Sequence, residues 1–249
     1  VTDDPGAVRR GGESLRSVAV LFLMIGCSMA AVAASWITRD ARGPAAVMRW
    51  WGRAFARIAG WRVSVSGLEN LPPGGAVLVS NHQSLADIPL IMSSVPGDVR
   101  FVAKKELGRV FLFGRAMVAA GNLLVDRNDR RDAVRMMREA EERLRGGERV
   151  VLFPEGTRSA DGAIGDFKSG AFRIAGAAGV PLVPIFIDGG RFALPKGALR
   201  VHPATMTVRV LPPILPVPGA GPHPPAELSR LAREAIAAAQ ADSVPARPL

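Results

Sequence analysis

Ser17 to Trp36 reads SVAVLFLMIGCSMAAVAASW, an apolar run with no charged residue. As a helix it is long enough to cross or enter a bilayer core of about 30 Å. No other segment of the chain is so restricted in what it can become. Three readings compete. It can be a retained membrane segment, a secretory signal peptide, or a buried helix of a soluble domain. Arg9, Arg10 and Arg16 before it, and Ala31-Val32-Ala33 within it, fit the charged start and small-residue cleavage site of a signal peptide. Cys27 is the only cysteine. It excludes an internal disulfide and a zinc-type cysteine cluster, and it reads as an apolar-face residue.

A second segment, Pro44 to Trp61, places Val47, Trp50, Trp51, Ala54, Phe55 and Ile58 at helical spacing. Arg49, Arg53 and Arg57 fall one turn apart on another face. An arginine-lined amphipathic helix with Trp at its edge suits a bilayer interface, and it equally suits a surface helix packed on a core. More arginines follow the apolar run than precede it. If the run spans, that bias puts the remainder in the cytoplasm. Residues 1–61 are therefore expected to be a membrane-associated helical segment, with an apolar helix at 17–36 and an amphipathic one at 44–61.

From Arg62 onward, apolar runs alternate with helical patterns. Strands are expected at Arg62–Ser66, Ala76–Ser80, Val99–Ala103, Leu123–Asp126, Arg149–Phe153, Leu182–Ile187 and Met206–Leu211. Helices are expected at Arg130–Arg145, capped by Asn128 or Asp129, at Asp166–Ala178, and at Pro225 to about Asp242. This alternation predicts an α/β domain over residues 62–242, built on a mostly parallel or mixed sheet flanked by helices. Pro212 to Pro225 is a Pro/Gly-rich connector, and 243–249 read as a loose tail.

The formal charge of +10 favours an anionic partner: nucleic acid, an acidic membrane face or a phosphorylated substrate. Local clusters separate these. His82 follows the apolar run Ala76–Ser80, and Asp87 comes five residues later. A carboxylate at that distance can orient an imidazole that takes a proton from a hydroxyl. Alone, the pair also fits a capped helix start. His202 and His223 read as loop residues. Three more charged clusters follow strand candidates: Lys104-Lys105-Glu106, Gly121 to Asp126-Arg127, and Phe153-Pro154-Glu155-Gly156-Thr157-Arg158-Ser159. In an α/β fold, strand ends present reactive groups. Four such clusters would ring one histidine–aspartate pair with cations at a single sheet edge.

Asn81-His82-Gln83-Ser84 through Asp87, Gly121 through Arg127, Phe153 through Ser159, and Val180-Pro181-Leu182-Val183-Pro184-Ile185 occur in this order. Together they resemble the four blocks of the glycerophospholipid acyltransferases, most closely the 1-acylglycerol-3-phosphate acyltransferases. Leu124-Val125 stands where Phe-Ile is more usual. The resemblance implies transfer of an acyl group from acyl-CoA or acyl carrier protein to the sn-2 hydroxyl of 1-acylglycerol-3-phosphate. His82 and Asp87 are the implied catalytic pair. Arg127 and Arg158 are implied to bind the acceptor phosphate, with Lys105 as a further cation. Glu155, Gly156 and Thr157 would line the phosphate and glycerol site, and neither Thr157 nor Ser159 is a nucleophile. Backbone amides near His82, with a nearby cation, would stabilise the oxyanion. No cofactor, metal or nucleic acid is implied. Because the donors are cytoplasmic, the resemblance favours a retained anchor and an inner-membrane protein with its catalytic domain on the cytoplasmic side. Rival readings are another lysolipid acceptor such as lyso-ornithine lipid, a hydrolase activating water, and a non-catalytic basic protein bound to a membrane surface.

Overall fold

A computed structural model of the chain describes residues 5–126, 128–216, 223–243, 246 and 248. Two helices come first, α1 (Pro5–Thr38) and α2 (Arg42–Ala59). Seven strands follow: β1 (Arg62–Ser66), β2 (Ala76–Ser80), β3 (Val99–Lys104), β4 (Leu123–Val125), β5 (Arg149–Leu152), β6 (Leu182–Asp188) and β7 (Thr205–Val210). Between and after them lie α3 (Asp87–Ser94), α4 (Phe113–Ala119), α5 (Arg130–Arg145), α6 (Arg173–Ala178), α7 (Gly190–Ala193) and α8 (Pro225–Ala241).

The strands form one sheet in the order β1-β7-β6-β2-β5-β3-β4. Every pairing is parallel except β6 with β7. The strands β6, β2, β5, β3 and β4 therefore point the same way, and the segments after them all leave from one edge. All seven strand expectations hold, with ends moved by at most one residue. The helix expected over Asp166–Ala178 is shorter. It begins as a 3-10 turn at Ser169–Phe172 and becomes α6 at Arg173. The short helices α3, α4 and α7 carried too few periodic positions to be read from the sequence.

β2 and β6 are buried along their whole length, as strands covered on both faces must be. Leu78, Phe101, Val151 and Val183 face one layer, which holds α1, α2 and α3. Val77, Val79, Val150 and Leu152 face the other, which holds α5, α6 and α8.

The two N-terminal helices divide their roles. The apolar face of α2 (Met48, Trp51, Phe55, Ala59) is buried in the first layer, so that face is part of the core. Its Arg49 is tied to Asp98 at 2.8 Å. α1 differs. Within Gly12–Thr38 the most apolar window has a mean hydropathy of 2.3, and only 22% of that window is buried. Val20, Cys27 and Ala31 face inward, while Leu15, Val18, Phe22, Met29, Trp36 and Ile37 are bare. A helix buried inside a soluble domain would not leave such a stripe exposed. The start of α1 is anchored by polar contacts. Glu13 is buried and meets His202 Nδ1 at 3.2 Å, and Ser17 Oγ accepts from Val201 N at 3.0 Å.

Of the segment 243–249, where a loose tail is expected, Ser243, Ala246 and Pro248 are described. Ala246 is buried and its N–H donates to Asp188 Oδ2 at 2.9 Å, while Pro248 bridges to Ala204. The sequence offers no sign of this, because the acceptor lies far away along the chain.

Ile236 of α8 is fully buried in the second layer, away from the strand edge that carries the charged clusters. Ile236→Ala is expected to lower stability by about 3 kcal/mol through lost burial and a residual cavity. Denaturant unfolding in detergent should report this loss with specific activity of the folded fraction unchanged.

Candidate active site

The segment between β2 and α3 is held from three directions. Asn81 extends the β2–β6 ladder with its side chain: Nδ2 donates to Ile187 O and Oδ1 accepts from Ile187 N, both at 2.9 Å. Gln83 Nε2 donates to Asp188 Oδ1 at 3.0 Å. Ser84 Oγ donates to Leu194 O. Asn81, Gln83 and Ser84 are all buried, where a polar side chain is tolerated only if it is hydrogen-bonded. Their job is to fix the backbone on either side of His82.

Asp87 opens α3 and is fully buried. Its Oδ2 accepts from Gln83 N at 2.7 Å and Ser84 N at 2.8 Å, and it meets His82 Nδ1 at 2.8 Å. The contact assigns the imidazole proton to Nδ1 and leaves Nε2 as the basic nitrogen. Among the described residues Nε2 has no partner. Gly190 sits against the other side of the carboxylate. A β-carbon there would collide with Asp87 Oδ1 and crowd Ser84, so only glycine lets α7 approach so closely. The amides of Gln83 and Ser84 are both engaged by Asp87 Oδ2, so of the backbone amides near His82 these two are committed to holding the carboxylate.

The ring of His82 stacks on Phe153, with centroids 4.0 Å apart and 19° between planes. Its side chain is 14% exposed, so the imidazole is walled in yet open at one edge. Phe153 follows β5, the strand next to β2. The same neighbouring segment brackets the His82 backbone. Glu155 Oε1 accepts from His82 N at 2.9 Å, and Ser159 N donates to His82 O at 2.8 Å. Glu155 Oε2 accepts from Gly165 N at 3.3 Å. Glu155 is thus an internal brace with both oxygens on backbone amides. Burial raises its pKa above the ordinary 4.5, while the bonds from His82 and Gly165 pull it back.

The remaining candidates stand as follows. Gly156 makes the turn after Glu155 with φ 71°. Thr157 is exposed and Arg158 half-buried. The Arg158 guanidinium makes no ion pair among the described residues, and its carbonyl accepts from Lys196 Nζ at 2.9 Å. Lys105 is exposed at the start of a 3-10 turn after β3, near Asp132 of α5. Arg127 lies outside the described residues. Parallel pairing brings the blocks of His82, Glu155–Arg158 and Lys105 to one edge, in the spatial order β2, β5, β3. Asp188 and Phe153 belong to the site and were not assigned roles from the sequence. Each ends or follows a buried strand, and an acidic residue closing an apolar run was the available signal.

Glu155→Gln removes a buried carboxylate whose charged form is disfavoured. A raised folded pKa means that the native state holds its proton more tightly, so stability falls as pH rises through the window above 4.5. Denaturation midpoints of parent and variant should move in the variant's favour across that window. A difference that does not vary with pH would refute the burial effect.

A family model described as Acyltransferase matches residues 62–188. The chloroplastic 1-acyl-sn-glycerol-3-phosphate acyltransferase LPAT1 of Arabidopsis thaliana is 39% identical over 140 residues, covering 55% of this chain and 39% of that protein. The alpha 1-acyl-sn-glycerol-3-phosphate acyltransferase of Homo sapiens is 40% identical over 159 residues, covering 63% of this chain and 56% of that protein. The chain thus spans about two fifths to just over half of these two relatives. The 1-acyl-sn-glycerol-3-phosphate acyltransferase of Pseudomonas aeruginosa is 33% identical over 189 residues, covering 76% of this chain and 72% of that protein. The crystal structure of the 1-acyl-sn-glycerophosphate (LPA) acyltransferase PlsC from Thermotoga maritima superposes with a TM-score of 0.75 at 27% identity, over 91% of this chain and 95% of that one. The matched segment holds His82, Asp87 and the whole Phe153–Ser159 cluster, and on these grounds the chain belongs to the Acyltransferase family.

Proposed function

We propose that the protein transfers a fatty acyl group from acyl-CoA or acyl carrier protein to the sn-2 hydroxyl of 1-acylglycerol-3-phosphate, forming phosphatidic acid. One observation carries the reading: His82 is held through Nδ1 by a buried carboxylate, with Nε2 free at the strand edge. The names of the relatives support the acceptor.

In the reaction, His82 Nε2 takes the proton of the acceptor hydroxyl as its oxygen attacks the thioester carbonyl. Asp87 stabilises the imidazolium that forms. Collapse of the tetrahedral intermediate breaks the C–S bond, and the thiol leaves with the proton from Nε2. No acyl-enzyme is needed. Arg158 supplies a fork of donors for the acceptor phosphate, with Lys105 of the same edge as a further cation, and the motif resemblance adds Arg127. Glu155 acts through the His82 backbone, and Gly156 and Thr157 form the adjoining wall of the glycerol site. The exposed apolar stripe of α1 holds the protein at a bilayer, where the acceptor resides. Soluble donors are cytoplasmic, so the inner membrane is the expected site, with the catalytic domain on its cytoplasmic side.

Purified protein given labelled acyl-CoA or acyl carrier protein and a panel of lysolipids, lyso-ornithine lipid included, should esterify 1-acylglycerol-3-phosphate most rapidly. His82→Ala should lower turnover by roughly 10²–10⁴-fold without unfolding the protein. A folded variant that keeps its turnover defeats the base assignment. Arg158→Ala should raise the acceptor KM by about tenfold or more with a smaller change in kcat, as loss of a charge-assisted contact requires. An unchanged acceptor KM would remove Arg158 from the phosphate site.

A further inference from the structure

From the last residue of β3 the chain runs through residues 104–118, which hold four cations (Lys104, Lys105, Arg109, Arg115) and one acid (Glu106). All four cations are exposed, and none forms an ion pair among the described residues. Asp132 of α5 lies near enough to feel the charge of Lys105, though Asp132 itself is paired with Arg135. Three apolar side chains stand out among these charges: Phe111 is 85% exposed, Val118 56% and Val110 46%.

The backbone turns sharply to present Phe111. Leu112 sits at φ 62° and ψ −51°, and Phe113 N donates to Phe111 O at 2.7 Å. This three-residue turn is rare and strained for a side-chain-bearing residue. The turn leads directly into α4, which packs against α1. The exposed apolar residues of 110–118 therefore lie beside the helix that carries the bare apolar stripe.

We propose that residues 104–118 are a second membrane contact, in which Phe111 and its apolar neighbours enter the interface while Lys104, Arg109 and Arg115 meet anionic phospholipid headgroups and Lys105 stays with the acceptor phosphate. The inference rests on the reading of α1 as membrane-seated. Charge complementarity selects the bilayer as occupant. Exposed cations gather around an apolar tip, and an anionic leaflet offers both chemistries in one plane. Continuity with α1 fixes the orientation. With both contacts seated, the strand edge that carries His82 lies close to the headgroups instead of projecting into water.

The test uses the full chain with Cys27→Ala, labelled with an environment-sensitive fluorophore at a single introduced cysteine: Phe22→Cys on α1, Phe111→Cys, or Glu142→Cys on α5 as a control on the opposite layer. Vesicles are phosphatidylcholine alone or equimolar with phosphatidylglycerol, each with nitroxide-bearing lipid as quencher. The label at 22 is expected to be quenched in both and the label at 142 in neither. The label at 111 is expected to be quenched in the anionic vesicles and to lose that quenching at high salt. Arg109→Glu with Arg115→Glu should weaken its association with the anionic surface by roughly fivefold or more per charge. Quenching at 22 without quenching at 111 overturns the second contact and leaves the α1 reading intact. Quenching at neither position defeats both. Quenching at 111 that ignores lipid charge and the arginine reversals overturns the anionic assignment.

Discussion

One carboxylate oxygen organises the reactive end of this protein. Asp87 Oδ2 takes the imidazole of His82 and the amides of Gln83 and Ser84, all within 2.8 Å. Three donors on one buried oxygen shape the turn between β2 and α3 and set the histidine tautomer together. A buried carboxylate left without such donors would be costly. Here the demand for donors forces the backbone to curl around it. Function follows from the same contacts, because the nitrogen left over is the one that can accept a proton.

The surroundings keep that turn in place with little help from regular secondary structure. Asn81 imitates a strand residue with its side chain, Gln83 hangs on Asp188, and Glu155 supports the His82 backbone from the next strand. Asp188 also receives Ala246 N, so a residue close to the end of the chain shares a partner with the loop that holds His82. The region behaves as one polar network inside an apolar layer. Within it Gln83 Oε1 and Asp87 Oδ1 are buried without a hydrogen-bond partner among the described residues, so the loop is held by the other atoms of these two side chains.

The N-terminal helices show how similar sequence patterns reach different ends. α2 buries its apolar face against the sheet, whereas α1 covers α2 with one side and leaves the other bare. Periodicity identifies both as helices with an apolar face, but it does not say which face will find a partner. That is decided by what lies next to each helix. α2 is sandwiched between α1 and α3, whereas α1 packs against α2 and α4 and, among the described residues, keeps its outer stripe bare.

The sequence by itself carried the α/β alternation, all seven strands, the long helices and the pairing of His82 with Asp87, since these depend on local periodicity and short spacing. The four motif blocks were legible for the same reason. Only the tertiary structure decided that β6, β2, β5, β3 and β4 run the same way, and hence that charges far apart in the chain share an edge. It also decided that Glu155 is a brace with both oxygens occupied, that the amides beside His82 serve Asp87, and that Asp188 joins the His82 loop to Ala246. The physical reason is range. A strand or helix is chosen by neighbours a few residues away, whereas a hydrogen bond between buried groups is chosen by whichever donor the fold brings within 3 Å.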